Sequence, residues 1–156
     1  MKQLSIAAIL FLSVSLRSFA GDPTDKLPNF KGAENFRNTF PQATEISYKS
    51  AGELTEVNFT WQGLHVAAFY DKEGTQIATS RTVTAENLPL NVQLGLKHQY
   101  PGYTPLDAIE YEDIDNNLSY FVTVADQKAS YVLHFSQDGS LSVFKRMSTD
   151  KKLSKN

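Results

Sequence analysis

The sequence predicts an α+β fold: two tandem units, each one helix packed on a four-stranded antiparallel sheet. Three observations carry this. The stretch Tyr100-Pro101-Gly102-Tyr103 echoes Phe40-Pro41-Gln42-Ala43, and each follows an amphipathic segment and opens onto strand-like residues. An acidic glycine turn follows in each case, Asp71-Lys72-Glu73-Gly74 and then Gln137-Asp138-Gly139. The two prolines lie 60 positions apart and the two turn glycines 65. Similarity at one offset, with a small insertion, reads as a duplicated unit.

Residues 1–20 read as a signal peptide. Lys2 supplies a positive start, Leu4 to Leu16 form an apolar run broken only by serines, and Ser18-Phe19-Ala20 offers small residues at a cleavage site before Gly21. The run is about 13 residues, short of the ~20 that span a bilayer, and no second apolar segment follows, so no membrane span is expected in the mature chain. The absence of cysteine disfavours a lipid anchor and excludes disulfides and thiol chemistry. The expected location is periplasmic or secreted. Without Lys2 and Arg17, 13 basic side chains face 17 acidic ones, a charge of −4 that argues against a nucleic-acid partner.

Residues 21–29 read as a flexible leader and 30–83 as the first unit. Phe30, Ala33, Phe36 and Phe40 recur at helical spacing, about three turns closed by Pro41. Thr44, Ile46 and Tyr48, then Thr55, Val57, Phe59 and Trp61, alternate with polar residues as strands do. Gln62-Gly63 and Asp71–Gly74 connect two further strands, 64–70 and 75–83. Residues 84–89 form a linker, with Thr84 and Asn87 as candidate helix caps.

The second unit spans 90–147. Leu88, Leu90, Val92, Leu94 and Leu96 alternate like a strand, yet Leu88, Val92, Leu96 and Tyr100 share a helical stripe. The duplication decides for helix, because the segment before Pro41 is helical. Strands 104–112, 118–124, 129–135 and 140–147 complete the unit, and 148–156 is a polar tail. Each helix covers one sheet face and leaves the other for solvent or a partner.

Phe40-Pro41-x-Ala43-x-x-Ile46, the strand ending Phe69-Tyr70-Asp71-x-x-Gly74, Leu88-Pro89-x-x-Val92 and Tyr100-Pro101-Gly102-Tyr103 together resemble the PepSY-like proteins, exported bacterial proteins related in fold to the beta-lactamase inhibitor protein. The resemblance covers residues 30–147. It implies tandem α/β units whose two sheets can join into one curved surface, and a partner that is itself exported, such as a peptidase or other hydrolase, which the protein would inhibit or regulate. It carries over no inhibitory residue, because the matching positions are aromatic core residues and turn prolines and glycines.

Catalytic, cofactor and metal signatures are absent. His65, His98 and His134 lack zinc-ligand spacing. Asp113, Asp115 and Asn117 match three positions of a calcium loop, but Leu118 and Val124 stand where glycine and glutamate are required, so an acidic turn is expected. No Gly-x-Ser-x-Gly elbow or glycine-rich phosphate loop occurs. The remaining lead is aromatic. Trp61, Tyr70, Tyr111, Tyr120 and Phe121 lie on expected strands, and several strands are apolar on both parities, so the open sheet face is the expected protein-binding surface. A non-enzymatic binding module follows. The alternative is a small-ligand carrier with an apolar pocket between helices and sheet.

Overall fold

A computed structural model describes residues 30–147. The expected signal peptide, leader and polar tail lie outside the described residues. The elements run α1 (Ala33–Thr39), β1 (Thr44–Ala51), β2 (Leu54–Trp61), β3 (Leu64–Tyr70), β4 (Gln76–Val83), a 3₁₀ turn (Ala85–Asn87), α2 (Leu90–Gln99), β5 (Thr104–Asp113), β6 (Leu118–Ala125), β7 (Ser130–Ser136) and β8 (Leu141–Met147).

The expected fold class needs correction. Instead of two four-stranded sheets, the strands form one eight-stranded antiparallel sheet in the order β1-β2-β3-β4-β5-β6-β7-β8. The helices are minor elements of seven and ten residues. An edge strand exposes a row of unpaired N–H and C=O groups, so two separate sheets leave four such edges and one continuous sheet leaves two. The chain divides into two compact units between Arg81 and Thr82.

In the first unit, α1 is shorter than the expected three turns. Phe30 precedes it, and its ring lies 5.1 Å from that of Tyr70 instead of on the helical stripe. Phe36 and Phe40 pack over Val57 and Phe59 of β2 and Ala68 and Tyr70 of β3. Phe40 closes the helix with its N–H on the Phe36 carbonyl at 2.8 Å, and the Ala43 N–H then bonds the Phe40 carbonyl at 3.1 Å.

The second unit repeats this exit: the Tyr100 N–H bonds the Leu96 carbonyl at 2.9 Å, and the Tyr103 N–H bonds Tyr100 at 3.2 Å. Leu88, Val92 and Leu96 pack over Ala108, Tyr120, Val122, Val124, Leu133 and Phe135. Leu90 and Leu94 point outward, 70% and 45% exposed, which explains the alternating pattern that a strand would also have produced. The helix starts after Pro89, and Thr84 precedes the 3₁₀ turn; Asn87 caps nothing.

The duplication extends to irregularities. Register shifts fall in the β1/β2 and β3/β4 ladders of the first unit and in the β5/β6 and β7/β8 ladders of the second. Turn glycines Gly74 and Gly139 share φ +87°.

Candidate functional site

Opposing residues of an antiparallel pair share a face, so the register sorts every strand into a helix side and a helix-free side. In the second unit the pairs Ile109/Phe121, Tyr111/Ser119, Phe121/His134 and His134/Ser142 define the helix-free side. Four rings converge there from four adjacent strands. Phe121 on β6 is central: His134 of β7 stacks on it at 4.7 Å, Phe144 of β8 meets it edge-on at 5.2 Å, and Tyr111 of β5 at 6.4 Å. Ser142 pairs with His134 on this side, and alternation along β8 brings Phe144, two residues further on, to the same side.

Tyr111 and Phe121 are 4% and 2% exposed. His134 and Phe144 are half-buried and form the reachable part of the cluster. Burial holds the His134 imidazole below its usual pKa, in its neutral form, and its Nε2 has no hydrogen-bond partner. Burial, with the Asp113 charge, pushes the Tyr111 hydroxyl up to about 12.

The structure divides the five residues that the sequence singled out. Trp61, Tyr70 and Tyr120 lie on the helix side of their strands. Trp61 meets the Phe40 ring edge-on at 5.7 Å. Tyr70 is fully buried and donates its hydroxyl to Gln76 Oε1 at 3.3 Å. Tyr120 belongs to the core under α2. Only Tyr111 and Phe121 come together on the helix-free side. Sequence reasoning rejects His134 as a zinc ligand and passes over Phe144. The 65-residue offset from Phe69 could have flagged His134, whereas a single Phe144 on its strand carries no signal of which rings it meets.

At that offset Glu56 stands where Phe121 stands in the second unit, paired with Phe69 as Phe121 is with His134. Glu56 is 1% exposed; its Oε1 accepts from Asn58 Nδ2 at 3.0 Å and its Oε2 has no partner. Burial raises its pKa above the ordinary 4.5, partly offset by the Asn58 bond and the Lys49 charge. The folded protein thus keeps this proton at pH values where the unfolded chain has released it. The resulting stability is complete below 4.5 and is lost as pH rises through the folded pKa. Glu56→Gln is therefore expected to gain on the wild type between about pH 4 and about pH 7, read from urea midpoints. A gap between the two proteins that stays constant over that range would contradict this.

The second unit also carries a groove of about 600 Å³ on its helix side, between the 3₁₀ turn, α2 and the Tyr100–Tyr103 turn, floored by Leu96 and Val124. Its rings are ordered, with Tyr100 and Tyr103 edge to face at 5.5 Å.

The acidic turn at Asp113–Asn117 satisfies its own polar groups. Asp113 Oδ1 accepts from the N–H groups of Asp115 and Asn117, both at 2.9 Å, and the Asn117 amide donates to both carboxylate oxygens. Among the described residues no group of three or more His, Cys, Asp or Glu side chains is placed to hold a metal ion. No described helix is long and apolar enough to cross a membrane.

Solved structures resemble the whole of this architecture. A BLIP-like protein from Bacteroides fragilis matches with TM-score 0.64 at 18% identity, over 85% of this chain and 94% of its own. A DUF2874 family protein from Bacteroides ovatus matches with TM-score 0.67 at 15% identity, over 84% and 94%. A protein from Bacteroides eggerthii, provisionally described as periplasmic, matches with TM-score 0.68 at 11% identity, over 79% and 89%. The chain has a BLIP-like fold. No protein-family model and no curated protein matches the sequence.

Proposed function

We propose that this chain is an exported, non-enzymatic module that binds another protein through the helix-free face of its sheet and thereby inhibits or regulates it. The observation that carries this reading is the Tyr111–Phe121–His134–Phe144 cluster, aromatic side chains gathered on the side of the second unit that its helix does not cover. Rings of this kind anchor protein interfaces when a partner completes their burial. Phe144 and His134 make first contact, and Phe121 supports them from beneath. The BLIP-like neighbours and the resemblance to PepSY-like proteins support export and a hydrolase, such as a peptidase, as partner.

A crosslinking pull-down from an exported-protein fraction, with residues 21–156 as bait, tests this. One dominant protein is expected with the wild type and with Leu94→Ala, and its recovery should fall about tenfold or more with Phe144→Ala, as for a hot-spot ring. Equal recovery with all three baits would remove the helix-free face from the account.

The groove favours a second reading, a carrier of small apolar ligands. Its volume of about 600 Å³ falls within the ~300–1,000 Å³ of small-molecule sites.

A further inference from the structure

The carrier reading leaves the ligand's chemistry open, and the groove's charged residues narrow it. Leu96, Tyr100, Tyr103, Pro105 and Val124 give apolar walls, and the charged lining residues are Glu86 and Lys97. Glu86 is already committed: its own N–H and the Thr84 hydroxyl hold the carboxylate in its ionised form. The Gln93 amide is committed too, donating to the carbonyls of Glu86 at 3.2 Å and Leu88 at 2.7 Å. Lys97 lies one helical turn beyond Gln93, and among the described residues its ammonium makes no ion pair. One uncommitted cation therefore stands over an apolar recess. An amphiphile that fills the recess can set its head group on that ammonium, and an anionic head is matched there where a neutral one is not.

We propose that the groove binds an amphiphilic carboxylate, its apolar body between α2 and the Tyr100–Tyr103 turn and its head group on Lys97. This rests on the carrier reading and goes beyond it in naming the ligand class.

Decanoate and decanol share an alkyl chain and differ in the charge of the head. Each would be titrated against the neutral fluorescent probe N-phenyl-1-naphthylamine bound to the purified protein. Decanoate should displace the probe at about tenfold lower concentration than decanol, the scale of one charge-assisted contact. Lys97→Gln should erase that preference while leaving decanol unchanged, and Ala85→Trp, which obstructs the groove, should abolish displacement by both. Equal displacement by the two compounds, or a preference that survives Lys97→Gln, would overturn the carboxylate proposal and leave the carrier reading standing. No probe binding, or binding indifferent to Ala85→Trp, would overturn both.

Discussion

Replacing Gly74 with alanine is expected to destabilise the protein by about 2–5 kcal/mol, and the same change at Gly139 by only about 1–2 kcal/mol. The two glycines occupy equivalent turns. In each turn the glycine N–H bonds the carbonyl three residues back, Asp71 at 3.1 Å and Ser136 at 2.9 Å. Both have φ +87°, so a side chain meets the same backbone penalty at each. Their surroundings differ. A Cβ on Gly74 would lie 2.6 Å from the Lys31 carbonyl carbon and 2.7 Å from the Gly32 nitrogen, backbone atoms that must move as a segment. At Gly139 the nearest atom is Asn91 Nδ2 at 3.1 Å, the far end of a flexible side chain. Urea unfolding of the two variants measures the difference directly. Equal losses would mean that the approach of the Lys31–Gly32 backbone to this turn is not a feature of the folded protein.

Phe36→Ala should cost about 3–5 kcal/mol, a large share of the ~5–15 kcal/mol by which domains are stable. Phe36 is 1% exposed and lies 4.9 Å from Phe59 and 5.6 Å from Phe40. Truncation empties the centre of the small core under α1, and a seven-residue helix has few other contacts to hold it in place. Leu90, equally apolar but 70% exposed, should change stability by less than about 0.5 kcal/mol when truncated. Thermal or urea unfolding separates the two, and a Phe36→Ala loss no larger than that of Leu90→Ala would contradict the assigned core.

Much of the fold was legible because it is local. Period-two alternation located the strands, and the acidic glycine turns separated them. The echo of Pro41 in Pro101 resolved the ambiguous leucine run into α2. The single sheet was not legible in the residues themselves, and only the family resemblance pointed towards it. Which edges pair is decided by non-local hydrogen bonds, and alternation states only which residues share a face. The candidate site was legible only in part, for a related reason. On β3, Phe69 and Tyr70 are both aromatic and point to opposite sides, and no local feature says which side a helix will cover. Tyr70 and Tyr120 are buried on the helix side and Trp61 packs at the margin of that core, whereas Tyr111 and Phe121 are buried on the helix-free side. Phe144 was invisible because the ring it meets, Phe121, lies on another strand, and that meeting is a property of the sheet and not of β8.

The most direct test of the central claim is site-specific photocrosslinking of the protein in an exported-protein fraction. The photoreactive phenylalanine analogue p-benzoylphenylalanine would be placed at position 144 and, separately, at position 94. Both sites are accessible, the first on the helix-free side and the second on the outer face of α2. Binding through the helix-free face predicts one dominant protein adduct from position 144 and none from position 94. An adduct from position 94 alone would contradict it and move the interface to the helix.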